Sequence, residues 1–100
     1  MKTPPKEIYL PHINYTVRVR QFKKAPQQLP NARAYVESLD DHSCTLYIEN
    51  KPHPCDLAHE VVHVLQFIAL SRNMDFKLEQ EHFGYMMQYI MGQVLGEKWQ

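Results

Sequence analysis

His59, Glu60 and His63, within the run HEVVH, are the residues whose types and spacing best suit chemistry in this 100-residue chain. On an α-helix, residues four apart lie side by side one turn on, so both imidazoles can direct a ring nitrogen at one ion. Imidazole nitrogen is a preferred donor for zinc, and a hydrolytic zinc site takes three protein ligands and leaves a fourth position to water. Glu60 stands about 100° round the helix from His59. That is too far to ligate beside it, but well placed to take a proton from a water on the metal as general base. With six histidines and seven glutamates in the chain, the pattern is expected by chance about 0.02 times. The run is therefore read as a zinc site rather than as two core histidines.

A third ligand must come from further along. Glu79, Glu81 and His82 are the candidates, at the start of a second helix expected over residues 76–95. With Glu81 as the reference direction, Gly84, Gln88, Gly92 and Gly96 lie within about 60° of it. Phe83, Met86, Met87, Ile90 and Val94 gather on the far side. A glycine-lined face lets another backbone approach closely, which favours Glu81. Glu79 points into the apolar stripe unless the helix begins after it. His82 and Glu79 stay open as alternatives.

The elements that must hold these residues change period near residue 52. Ile13, Tyr15, Val17 and Val19 alternate with Asn14, Thr16, Arg18 and Arg20, the pattern of a half-buried strand. The stretch KKAPQQLPN makes a loop, Ala32 to Leu39 a second strand, Asp40 to Ser43 a turn, and Cys44 to Glu49 a third strand. Pro52 and Pro54 open a helix expected over residues 55–70. Val61, Val64, Leu65 and Ile68 fall on one face of it, and His59, His63, Gln66 and Leu70 on the opposite one. Ser71, Arg72 and Asn73 read as its stop. Two histidines and a glutamate in an otherwise apolar helix would be costly without partners. The expected architecture is α+β: one domain over residues 1–100, with a short three-stranded antiparallel sheet (residues 8–50) followed by two helices that carry the zinc site.

Hydrophobic residues make up 44% of the chain, enough for a core without disulfide staples, and a bound metal would add to its stability. Eleven basic and eleven acidic residues balance, so no global field draws the chain to nucleic acid or a membrane. The acid-free stretch from Ile8 to Val36, with Arg18, Arg20, Lys23, Lys24 and Arg33, reads as a solvated strand face plus a loop. No export signal or membrane-length apolar run is present, which gives a cytoplasmic expectation with Cys44 and Cys55 reduced. His12, His42 and His53 have no partner at ligand spacing and read as surface or turn residues. Met86, Met87 and Met91 read as flexible core filler or as a self-association face, making a homodimer through the second helix the alternative. Trp99 could anchor the tail or join such an interface.

The run from His59 to His63, seventeen intervening residues and then Glu81 resembles the gluzincin zinc metallopeptidases, whose third ligand is a glutamate on the following helix. HEVVHVLQFI followed by EHFGYMMQYI is also similar to small phage or prophage proteins with an HExxH…ExxAY signature. At this length the chain resembles the minigluzincin group. The likeness covers residues 56–95. It implies Zn2+ held by His59, His63 and Glu81, Glu60 as base, a peptide or protein substrate, and a virion-associated location if the chain is phage-derived. Thermolysin-like members carry an aspartate four residues past the ligand glutamate, and here Tyr85 stands there. Its hydroxyl would orient the first histidine or polarise a substrate carbonyl. The same layout puts the strand of Thr45, Tyr47 and Glu49 at the sheet edge, where an extended peptide would pair its backbone. Two other expectations remain. One is a zinc-stabilised phage accessory or assembly protein that acts by interaction without turnover. The other is a self-blocked form whose metal is covered by its own terminus or a second copy.

Overall fold

The computed structural model describes residues 7–22, 34–49, 53–75 and 77–96. The expected loop over residues 23–31, together with Arg33, Pro52 and Trp99, lies outside the described residues. The elements run β1 (Glu7–Leu10), a single 3-10 turn (Pro11–Ile13), β2 (Tyr15–Phe22), β3 (Ala34–Asp40), β4 (Ser43–Glu49), α1 (Pro54–Arg72) and α2 (Gln80–Leu95).

The α+β class is as expected, but the sheet is not three antiparallel strands. It has four, in the order β1-β2-β4-β3, and it is mixed. β1 pairs with β2 and β3 with β4 antiparallel, while β2 and β4 run parallel, with Val17 opposite Cys44 and Val19 opposite Leu46. The additional strand exists because Ile8 and Leu10 alternate with Glu7 and Tyr9 and are both buried. The β3–β4 hairpin docks on β2 through β4, so β4 is interior and the edges are β1 and β3. Thr45, only 5% exposed, confirms how enclosed β4 is. The expectation of an edge strand at Thr45, Tyr47 and Glu49 is therefore corrected: neighbours on both sides already use that strand's backbone groups, and no peptide can add there.

The turn at Asp40–Ser43 is as read. The Asp40 carboxylate accepts from the His42 amide (2.7 Å) and the Ser43 hydroxyl (3.0 Å), and these bonds hold its carboxyl below the usual carboxylate range.

Pro54 opens α1 at a position that needs no amide donor, and the His53 ring Nδ1 caps it by accepting from the Cys55 amide at 3.2 Å. Asn73 closes it in the left-handed conformation, φ 51°, which asparagine tolerates better than most residues. α2 begins at Gln80, later than the expected residue 76. Asp75 accepts from the amides of Lys77 and Leu78, and this turn precedes the helix. Glu79 becomes the residue flanking α2, with its side chain 40% exposed, and so escapes the apolar stripe. Leu57, Val61, Val64, Leu65 and Ile68 of α1 join Phe83, Met86, Ile90 and Val94 of α2 and the inward residues of the sheet in one core. Cys44 lies in that core, where burial pushes its thiol up to about 11, and Cys55 is exposed; both are free.

Arg72 fastens the end of α1 to both strand turns. Its guanidinium donates to the carbonyls of Ile13, Asn14 and Asp41, each at 2.8 Å, and reaches His42 Nδ1 at 2.8 Å. The same group lies 5.9 Å from the centre of the Tyr15 ring. Tyr15 itself is fully buried, and its hydroxyl meets only the weakly hydrogen-bonding Cys44 thiol, with no well-formed hydrogen bond among the described residues. Desolvation drives that hydroxyl above the ordinary phenol range, with the Cys44 thiol its polar neighbour.

The half-buried Arg72 guanidinium and the buried Tyr15 hydroxyl should respond oppositely to removal. Arg72→Ala removes three charge-assisted bonds to carbonyls, one of them part-buried, and is expected to cost about 1–2 kcal/mol in chemical denaturation, with Arg72→Lys recovering little because an ammonium lacks the planar fork. Tyr15→Phe removes a hydroxyl met only by the Cys44 thiol and should leave stability unchanged or higher. A loss above about 1 kcal/mol for Tyr15→Phe would contradict that reading.

Candidate metal centre

Burial of the apolar stripe fixes which way α1 faces. Val61, Val64 and Ile68 are fully buried, so the opposite face, with His59, Gln66 and Leu70, looks to solvent. The His59 side chain is 70% exposed and the Glu60 side chain 15%. His59 therefore does not carry the burial cost inferred from the apolar surroundings, because the helix turns it outward, and His63 is half-buried. Glu60 does carry one.

The structure brings His59, Glu60 and His63 together as a group in which one ligand atom from each lies within 4.8 Å of the others. His59 Nε2 stands 3.7 Å from Glu60 Oε2. The two imidazole rings have centroids 5.1 Å apart and lie edge to face at 68°. His63 Nδ1 meets Gln66 Oε1 at 3.0 Å. With the Gln66 amide oxygen facing the ring, which can only accept, Nδ1 carries the proton and the Nε2 lone pair is left for a metal. Gln66 is the functional residue that the sequence reading placed on the right face without giving it a role. Its spacing of three from His63 was the available signal.

The donor set fits zinc: two imidazoles and a carboxylate, converging, with one ring already set in the ligating tautomer. Glu60 admits two roles here. Its carboxylate is close enough to act as a donor itself, and its partial burial also suits a base. Desolvation raises its carboxyl above the ordinary glutamate range, against a smaller lowering by His59 and His63.

The remaining expected site residues lie elsewhere. Glu81 stands in the first turn of α2, exposed, and is not part of the group. That turn sits at the far end of α1. His82 beside it bonds His12, and Arg72 bonds the adjoining Ile13 and Asn14. His63 is nine residues up the helix from Arg72, about 13 Å along the axis. Gly84 is exposed, and a Cβ built there would meet nothing within 4 Å, so it mediates no close helix approach. Gly96 serves as the left-handed cap of α2, φ 71°. Tyr85, 66% exposed, forms a wall of a surface groove of about 520 Å³ with Glu81, Met87 and Met91. His42 and His53 occupy turn and cap positions as read, whereas His12 is paired.

No family model, no curated protein and no solved structure matches this chain. No helix among the described residues is long and apolar enough to cross a membrane.

Because folding raises the Glu60 carboxyl, its contribution to stability is fully present below the unfolded value and lost as pH rises through the folded one. Metal-free Glu60→Gln should therefore melt above the wild type near neutral pH, with the gap closing below about pH 4. Melting curves of both proteins across that range check this. An unchanged or lower Tm for the variant at neutral pH would show that burial does not tax the carboxylate.

Proposed function

We propose that this chain binds one zinc ion through His59 and His63 and hydrolyses peptide bonds, with Glu60 as general base. The observation that carries the reading is the converging His59–Glu60–His63 group, in which Gln66 fixes the His63 tautomer. The motif's resemblance to gluzincins adds the reaction class. Zinc in that position would supply Lewis-acid chemistry, polarising a peptide carbonyl and acidifying water near neutral pH. Glu60 takes the proton from the attacking water and returns it to the departing amine. A carboxyl raised toward working pH serves both transfers better than an ordinary one. The exposure of His59 leaves the group open to an extended chain from solvent. Glu81 is the third ligand in this reading, which requires the first turn of α2 to close on α1 when the ion binds.

A specific observation favours a second reading. Glu60 already stands among the imidazoles, and Glu81 is at the other end of α1. With Glu60 as the third donor no base remains, and the ion would stabilise an interaction protein rather than drive turnover.

Two substitutions separate these readings. In the peptidase reading Glu60→Gln keeps one equivalent of zinc and loses about 10²–10⁴-fold in cleavage of an unstructured protein, while Glu81→Ala loses zinc. In the second reading Glu60→Gln loses zinc, Glu81→Ala keeps it, and no cleavage is seen even in the wild type. Zinc content after dialysis, taken relative to a His59→Ala/His63→Ala control and measured beside a cleavage assay, gives both readouts. A wild type that retains no zinc would contradict both readings.

A further inference from the structure

The most unexpected juxtaposition of ligating side chains lies at the opposite end of the molecule from HEVVH. His12, in the 3-10 turn between β1 and β2, and His82, in the first turn of α2, are 70 residues apart in sequence, yet their Nε2 atoms lie 2.8 Å apart. The ring centroids are 4.9 Å apart and the rings tilted by 42°, so the imidazoles meet nitrogen to nitrogen rather than stacking face to face. We propose that His12 and His82 form a second site for a divalent transition-metal ion, built from donors that the His59 group does not use.

Two neutral imidazoles facing each other through Nε2 share a single proton, one ring donating and the other accepting. Replacing that proton by a metal ion lets both nitrogens act as donors. At zinc–nitrogen distances of about 2.0–2.1 Å and a tetrahedral angle, the nitrogens would stand about 3.3 Å apart. To admit the ion the rings must separate by about half an ångström and turn their Nε2 lone pairs off the line that now joins them.

Both rings are positioned from outside the pair. Glu79 Oε1 lies 3.9 Å from His82 Nδ1. The carboxylate stands on the side of the outer nitrogen, and drawn in to hydrogen-bond distance it would hold the proton there and leave the Nε2 lone pair toward His12. Arg72 holds the Ile13 carbonyl immediately after His12 at 2.8 Å, and the left-handed Asn14 closes the turn. His82 rides on a helix start anchored by Asp75. The pair adjoins a cleft of about 370 Å³ whose walls include Pro11, Tyr85 and Tyr89, and His12 itself is exposed, so an ion and its remaining waters have access. Any ion held there ties the 3-10 turn to α2 and so stabilises the fold, because its ligands converge only in the folded chain.

Calorimetric titration of the metal-free full chain with Zn2+, and separately with Ni2+, tests this. The His59→Ala/His63→Ala double variant should still bind one equivalent, and its Tm should rise on binding. Adding His12→Ala, or His82→Gln where the first does not fold, should abolish that equivalent and the Tm rise. Circular dichroism of each metal-free variant establishes that the fold is retained. A double variant that binds nothing, or one whose remaining equivalent survives both the His12 and the His82 substitutions, would overturn the second site. Neither result bears on whether HEVVH binds zinc, which the corresponding titration of His12→Ala with HEVVH intact reads on its own.

Discussion

The rotation of α1 about its own axis is the constraint on which the rest of the site depends. Leu57, Val61, Val64, Leu65 and Ile68 are buried on one side of the helix. Exposing even two of them would cost about 3–6 kcal/mol, comparable to the whole stability of a small domain. The helix therefore has one way to face, and the residues on its other side are presented whatever their own preferences. His59 and His63 are projected to solvent one turn apart by the core rather than by any interaction of their own. Glu60, one step round from His59, falls at the margin between the two sides, and its half-sheltered carboxylate follows from that position.

Arg72 supplies the complementary constraint along the axis. Its bonds to Ile13, Asn14 and Asp41 set the lower end of α1 against the two strand turns, and α2 begins beside the same turn through His82. The chain thus separates two clusters of candidate ligating side chains by about half the length of α1. The His59 group lies toward its beginning, and the His12–His82 pair beside its end. Glu81 belongs spatially to the second end, so the sequence spacing alone does not bring its carboxylate to the imidazoles. Distance along the chain counts residues, whereas α1, running nine residues beyond His63, carries the following helix start away from the imidazoles.

The outward face of α1 was legible in the sequence because helical periodicity is rigid: once Val61, Val64, Leu65 and Ile68 are assigned to the core, the directions of His59, His63 and Gln66 follow from 100° steps. The β3–β4 turn was legible for a similar local reason, since Asp40 and Ser43 make their hydrogen bonds within a few residues. β1 was not, because four residues between prolines give too little alternation to distinguish a strand from a loop. The parallel pairing of β2 with β4 was not legible either. It depends on how a whole hairpin docks, and the two strands are separated in sequence by β3. Reading β4 as an edge strand failed with it. His12 offered no signal at all, since its partner is fixed only when the 3-10 turn and α2 have both packed on the core.

The central claim is that the face of α1 opposite the core is a metal site, and diffraction at the zinc absorption edge from crystals of the zinc-loaded chain tests it most directly. The account predicts anomalous density bonded to Nε2 of both His59 and His63, with Gln66 still accepting from His63 Nδ1. Zinc-saturated crystals with no anomalous density at these two imidazoles would contradict it.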